Sequence, residues 1–343
     1  MTILSTVITI AIAFVIAVIG TKIEIPILRE KAGQNIREEG LESHYSKAGT
    51  PSMGGISIVI ATLIATIPSM IMGQVGGLSM TPVLLILIVF VGFGLVGFID
   101  DYLKVIKKQN EGLKVKPKFA LQIIICLLFA ILCRVMTEGG TQVYFPGFNR
   151  WIDFGFMYIP FIVFVLLAMT NAANLADGLD GLAGGITAIV SLAFIAAGAI
   201  FKYMFSGTDP LEIPGMVFFA ALCGGCLGFL VFNRNPARVF MGDTGSLALG
   251  GGVAAAAIVM KLEILLLIVG LIYVIEALSV VMQVSYFKAT GGKRIFKMAP
   301  IHHHFEMCGM KEVQVVKMFW AFTFICGAVG VLLIFFTAGP VVV

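Results

Sequence analysis

Five polar stretches interrupt an otherwise apolar chain, and the densest is NAANLADGLDG, residues 171–181. Asn171, Asn174, Asp177 and Asp180 recur every three residues, so on a helical turn they share one side. Gly178 and Gly181 let the backbone turn and approach a ligand. The stretch holds no lysine or arginine, and it follows the apolar run IPFIVFVLLAM, 159–169. Acids at the end of a membrane segment are costly unless hydrated, paired or bound. The stretch therefore reads as the lip of a polar site at a membrane surface. A helix cap followed by a glycine turn is the simpler alternative.

Three further stretches carry acids or imidazoles. In FGLVGFIDDYLKV, 93–105, Asp100 and Asp101 close an apolar run, with Lys104 one turn on. Adjacent helical residues point about 100° apart, so one acid can face a metal while its neighbour faces a nucleophile or a lysine. An ordinary ion pair to Lys104 is the competing reading. In FNRNPARVFMGDTGSLALGGG, 232–252, Asp243 precedes a helix rich in glycine and alanine, with Thr244 and Ser246 in its first turn. Free N–H groups there attract phosphate, and Asp243 could hold a metal that bridges it; a helix cap with small residues for packing competes. In RIFKMAPIHHHFE, 294–306, three consecutive histidines follow Pro300. Consecutive side chains diverge, so the three do not share one metal, and donors for a diphosphate or a sugar fit better. A fifth stretch, KAGTPSMGG at 47–55, offers Lys47 as an anion contact or as a snorkelling lysine before a capped helix.

The elements that position these residues are membrane helices. The chain has 343 residues, 59% of them hydrophobic and 12% charged, with a mean hydropathy of +1.04. Soluble domains carry roughly 25% charged residues. A polytopic, all-α membrane protein is expected, forming one domain over 1–343. Ten spans are predicted, at approximately 2–20, 53–73, 82–99, 118–137, 156–173, 184–202, 214–232, 244–260, 264–287 and 316–337. The division between the eighth and ninth rests on the short charged break Lys261-Leu262-Glu263. The first span lacks a preceding basic residue and a small-residue cleavage site, so it reads as retained. Pro146-Gly147, between two short extended runs, predicts a small hairpin at the surface opposite the acids. Cys223 and Cys226 lie in an apolar helix without a second pair, which argues for buried packing over a zinc site.

Nineteen of the 23 lysines and arginines fall in alternate loops. The positive-inside rule then places both termini outside and those loops in the cytoplasm. Five of the seven aspartates (Asp100, Asp101, Asp177, Asp180 and Asp243) share that side. Carboxylates ringed by lysines suit a hard divalent cation such as Mg²⁺ beside phosphate co-ligands.

Taken in order, KAGTPSMGG, the paired aspartates of FGLVGFIDDYLK, NAANLADGLDG, FNRNPARVFMGDTGSLALGG and APIHHHFE resemble a known family across the whole chain. They are similar to the phospho-N-acetylmuramoyl-pentapeptide transferases, a branch of the bacterial polyprenyl-phosphate N-acetylhexosamine-phosphate transferase family. The HHHFE stretch is most particular to that branch. Ser52 and Ala176 depart from it, standing where threonines are expected; Ser52 keeps a hydroxyl and Ala176 loses one.

The resemblance implies ten helices, often as a homodimer, in the bacterial cytoplasmic membrane, with a cleft facing the cytoplasm. It implies transfer of phospho-N-acetylmuramoyl-pentapeptide from its UDP derivative to undecaprenyl phosphate with Mg²⁺, giving lipid I and UMP for peptidoglycan. No nucleic-acid partner is expected. By the same matching, Asp243 is the principal metal ligand and Asp100 and Asp101 complete the acidic centre, Asp100 nearer the lipid phosphate and also a metal ligand. Asn174, Asp177, Asp180 and Asn233 line the nucleotide-sugar site, with Lys47 and Lys116 as anion contacts. Gln283, His302 and His303 contact sugar or diphosphate, His303 with a catalytic part, and His304 is the more structural of the three histidines. Glu276, ionisable inside the long ninth span, is a functional flag without a visible partner, and a helix-packing role competes equally. Two rivals stand beside this reading. One is a related transferase whose UDP-sugar carries no peptide. The other is a cation-coupled transporter, which would place its site near the bilayer midplane.

Overall fold

Within lipid every backbone polar group needs a partner in its own chain, which restricts long apolar segments to helices. The computed structural model describes residues 2–31, 49–75, 79, 81–107, 112–136, 140–204 and 212–337. In chain order its helices are α1 (Ile3–Lys31), α2 (Gly55–Val75), α3 (Thr81–Asp101), α4 (Val115–Met136), α5 (Tyr158–Ala176) and α6 (Leu182–Met204). They continue with α7 (Glu212–Asn233), α8 (Gly242–Val259), α9 (Glu263–Val269), α10 (Leu271–Ala289), α11 (Ile301–Met307) and α12 (Glu312–Thr337). Among the described residues, ten helical stretches are long and apolar enough to cross a membrane, as the sequence predicts.

Helix α8 is the axle. Every residue from Thr244 to Val259 is buried, against α2, α3, α5 and α7. Its run of glycine and alanine allows this. A Cβ on Gly250 would lie 2.6 Å from the Met169 carbonyl, and one on Gly251 would lie 2.3 Å from the Phe93 ring. Small residues let backbones approach where no hydrophobic drive separates helix from lipid. The outer helices instead turn large apolar side chains outward, such as Ile124, Leu128 and Ile131 of α4 and Phe324, Leu332 and Phe335 of α12.

The spans differ from expectation in three places. The first helix continues to Lys31 through Pro26, eleven residues past the predicted end. Helix α3 runs on into a π-helical turn, Tyr102–Ile106. The long ninth span is interrupted: α9 ends at Val269, Gly270 leaves helical geometry (φ −95°, ψ 18°), and the membrane-length part is α10 alone. The break at Lys261-Leu262-Glu263 is present, with Lys261 at φ 58°.

The predicted hairpin is β1 (Gln142–Phe145) and β2 (Arg150–Asp153), antiparallel with Val143 opposite Ile152 and Tyr144 opposite Trp151. Lys261, just past the C-terminal end of α8, donates to the Gly140 carbonyl beside it at 3.0 Å. The hairpin therefore sits at the opposite end of α8 from Asp243.

Candidate active site

The acids meet where α3 ends and α8 begins. Asp100 and Asp101 are both buried and close α3; Asp243 stands in the first turn of α8. One carboxylate oxygen from each lies within 4.8 Å of the others, a group able to hold a metal ion. Gly97, one turn before Asp101, permits the approach: a Cβ there would lie 2.1 Å from the Asp243 carbonyl oxygen.

The two adjacent aspartates diverge, as the helical angle requires. Asp101 turns to the start of α8. Its Oδ1 accepts the Asp243 N–H at 3.1 Å, and its Oδ2 accepts the Thr244 N–H at 2.8 Å and the Thr244 hydroxyl at 2.6 Å. It is an acidic cap supplied by another helix, of a kind that stabilises by about 1–2 kcal/mol. This corrects the expectation that these N–H groups stand free for phosphate. Asp100 turns the other way. Its Oδ1 accepts the Leu113 N–H at 2.8 Å, which fastens the segment before α4. Its Oδ2 pairs with Lys104 and, at 3.4 Å, with Lys118.

The same two lysines reach Asp243. Lys118 Nζ is 2.6 Å and Lys104 Nζ 3.1 Å from Asp243 Oδ2, while Asn174 donates to Asp243 Oδ1 at 2.9 Å. Asn174 also donates to the Ser246 hydroxyl at 2.8 Å, which fixes α5 against α8. Lys104 lies in the π-helical turn, four residues beyond Asp100 and within reach of both acids. Two carboxylates thus share two cations, both partly exposed, at the end of the bundle, with the third acid beside them.

The 177–181 turn closes one side. Asp177 lies close enough to Asp243, Asp101 and Asp180 that, after burial, their charges push its carboxyl well above the usual range. Asp180 and Asn233 are scaffold as the structure stands. Asp180 Oδ2 accepts from Asn235 at 3.2 Å and from the Ala237 N–H at 3.0 Å. Asn233 accepts the Gly181 N–H at 3.0 Å and donates to the Val239 carbonyl at 2.9 Å. Glu312, at the start of α12, ties the same loops by accepting from the Asp180 N–H at 2.8 Å and from Asn235 at 2.9 Å.

The histidine segment lies beyond this turn. Gln283 accepts the N–H groups of Ile295 and Phe296 at 3.1 and 2.9 Å, which holds the approach to α11. His302 is buried and pairs through Nδ1 with Glu276 Oε1 at 3.0 Å. His303 pairs with Glu306 at 2.9 Å, its ring 4.1 Å from that of His302. His304 Nδ1 accepts the Lys297 N–H at 3.1 Å, a loop-holding contact.

Two placements depart from the sequence reading, and a third residue it named cannot be placed. Lys116 is exposed at the start of α4; Lys118, two residues on, is the lysine that enters the acidic centre. Glu276 has a partner, His302. Lys47 lies outside the described residues. The described part of its motif is structural: Phe240 donates to the Pro51 carbonyl at 2.8 Å, and Gly54 to the Phe240 carbonyl at 2.9 Å. Lys118 and Glu312 carried no sequence signal that separates them from other loop charges.

An acid–lysine centre at the end of a bundle of membrane-length helices suits a membrane-embedded transferase, and the comparisons give that class. The pattern of the family described as Glycosyl transferase family 4 matches residues 83–261, which include Asp100, Asp101, Lys118, Asp177 and Asp243. Proteins named phospho-N-acetylmuramoyl-pentapeptide-transferase align along nearly the whole chain. The one from Heliobacterium modesticaldum is 48% identical over 90% of this chain and 91% of its own length. That of Halalkalibacterium halodurans is 47% identical over 91% and 92%, and that of Listeria innocua 46% over 96% and 98%. The chain belongs to the phospho-N-acetylmuramoyl-pentapeptide-transferase family.

Proposed function

We propose that this chain transfers phospho-N-acetylmuramoyl-pentapeptide from its UDP derivative to undecaprenyl phosphate, giving lipid I and UMP, at a cleft on the cytoplasmic face. The observation that carries this reading is the sharing of Lys104 and Lys118 between Asp100 and Asp243. Oxygen donors alone, three of them from carboxylates within one small volume, suit Mg²⁺. Asp243 and Asp100 would hold it, with Asp101 behind them fixing α8. Bound there, Mg²⁺ supplies charge neutralisation to the diphosphate and to departing UMP.

The protein's own groups account for the rest. The lipid phosphate attacks the sugar-linked phosphorus, the bond to the uridylyl oxygen breaks, and that electron pair leaves with UMP. A phosphate monoester has a second pKa near 6, so at neutral pH the nucleophile is already ionised and needs no base. Asp100 therefore orients and holds charge rather than removing a proton, and the displacement takes one step. Lys104 and Lys118 draw the two anions together, which offsets the repulsion that opposes phosphoryl transfer. Asn174 keeps the Asp243 carboxylate turned inward. Described residues of the basic loops, among them Lys104, Lys118 and Arg234, share this end of the bundle, which supports the cytoplasmic assignment. A transporter reading fits less well, because the acids gather at helix ends and not midway through the spans.

The test is UMP release from purified protein given undecaprenyl phosphate and either UDP-N-acetylmuramoyl-pentapeptide or a peptide-free UDP-N-acetylhexosamine. Release only with Mg²⁺, lipid phosphate and the pentapeptide donor is expected. Release with the peptide-free donor would select the related transferase, and none with either would remove the reading.

A further inference from the structure

The deepest polar pair in the molecule lies outside the acidic centre. Glu276 of α10 and His302 of α11 are both fully buried, and the carboxylate meets the ring only at Nδ1. On its other side, His302 Nε2 has no hydrogen-bond partner among the described residues. That nitrogen points at Gly178: a Cβ built there would lie 2.2 Å from Nε2. Gly178 does not occupy the left-handed region, so the turn needs the missing side chain for space rather than for backbone freedom. A buried polar atom left unpaired costs about 1–3 kcal/mol. Here the orphaned atom faces the turn that carries Asp177.

We propose that Glu276 is a positioning residue that acts through His302. A carboxylate only accepts, so Glu276 holds the ring with its proton on Nδ1, and Nε2 is left as an acceptor facing the 177–178 turn. Nε2 is covered by Gly178 and not open to a ligand, so the pair acts on the acidic centre by fixing where the turn that carries Asp177 sits. That role rests on the transfer reaction proposed above.

Two substitutions separate the roles. Glu276→Leu keeps the bulk and removes the acceptor, and its kcat falls about 10–100-fold, the range for partners that orient a functional histidine. Glu276→Gln keeps an acceptor oxygen and stays within about threefold of the wild type by the same argument. On a His302→Ala background, Glu276→Leu costs nothing further, because its only route of action is gone. A further loss in the double variant, or full activity of Glu276→Leu beside an impaired His302→Ala, overturns the proposal. The pairing is also read without turnover. In ¹⁵N spectra of the wild type, His302 should show a protonated Nδ1 and a bare Nε2, and a protonated Nε2 would sink the assignment. If the wild type itself releases no UMP, the transfer reading has failed, and the spectra still decide the pairing.

Discussion

The two ends of α8 are built from the same residue types and do opposite things. At its C-terminal end Lys261 is buried, donating to the Gly140 carbonyl at 3.0 Å and the Tyr158 hydroxyl at 2.8 Å, with the Tyr158 ring 4.5 Å away. That lysine ties the hairpin to the bundle with neutral partners. At the N-terminal end two partly exposed lysines are each shared between Asp100 and Asp243, with Asp101 and Asp177 adding further acid. One cluster is closed by its own chain. The other keeps more acid than base at an open mouth, and that surplus is what a cation or a phosphate-bearing ligand can use. Burial of charge alone does not mark a site; an unbalanced charge within reach of solvent does.

The largest break in the comparison comes from removing the acid that both lysines serve. Asp243→Ala should lower UMP release by about 10³-fold or more, since it removes a principal holder of the charge-neutralising ion. The variant should still fold, with a lower melting temperature in detergent, because Lys104, Lys118 and Asn174 lose a shared acceptor. Near-normal release by a folded variant would end the metal assignment. Lys118→Met comes next, with kcat/KM for the donor down about 10²-fold. The half-saturating Mg²⁺ concentration should drop at the same time, because a competing cation has left Asp243. A rise in that concentration would mean that Lys118 helps to hold the metal rather than standing in for it.

A smaller effect separates contact from composition along α3. Gly97→Ala forces a Cβ to 2.1 Å from the Asp243 carbonyl, whereas at Gly94 the nearest atom would be an ordinary 3.5 Å away. The first substitution should cost about 1–3 kcal/mol, the usual range for overpacking, and reduce turnover. The second should leave both unchanged. Equal melting temperatures for the two variants would show that α3 does not fix the Asp100–Asp243 geometry.

Much of this arrangement was legible in the chain. Apolar run lengths gave ten spans, and alternation of lysines put the acidic stretches at one end, because both signals are local and additive. What escaped were contacts that depend on helix rotation. Lys116 and Lys118 look alike in sequence, yet only Lys118 faces the acids, since α4 is fixed about its axis by packing against α3 and α5. Likewise Glu276 and His302 are separated by 25 intervening residues, and their pairing needs the fold of α10 against α11. The position of the interruption in the long ninth span, at Gly270, was not legible, because glycine inside an apolar run reads equally well as packing. The cap on α8 was missed because its acid comes from α3 and not from the residues before Gly242.

The smallest effect belongs to the far end and concerns pH. Glu263 is buried beside Lys261, and burial, partly offset by Lys261 and by hydrogen bonding that includes the Tyr158 hydroxyl, pushes its pKa up to about 7. The folded protein therefore holds this proton more tightly than the unfolded chain, whose Glu titrates near 4.5. The resulting stability is complete below about pH 4.5 and is lost as pH rises through about 7, a difference of about 3 kcal/mol. In Glu263→Gln, neutral throughout, that slope should vanish. Melting temperatures of the two proteins across pH 4–8 in detergent measure it, and subtracting one curve from the other cancels every other titrating group. Turnover at a fixed pH should not change, because the mouth of the acidic centre lies at the other end of the helix. Parallel curves would show that Glu263 keeps its charge when buried, and the far cluster would then be as ionic as the near one.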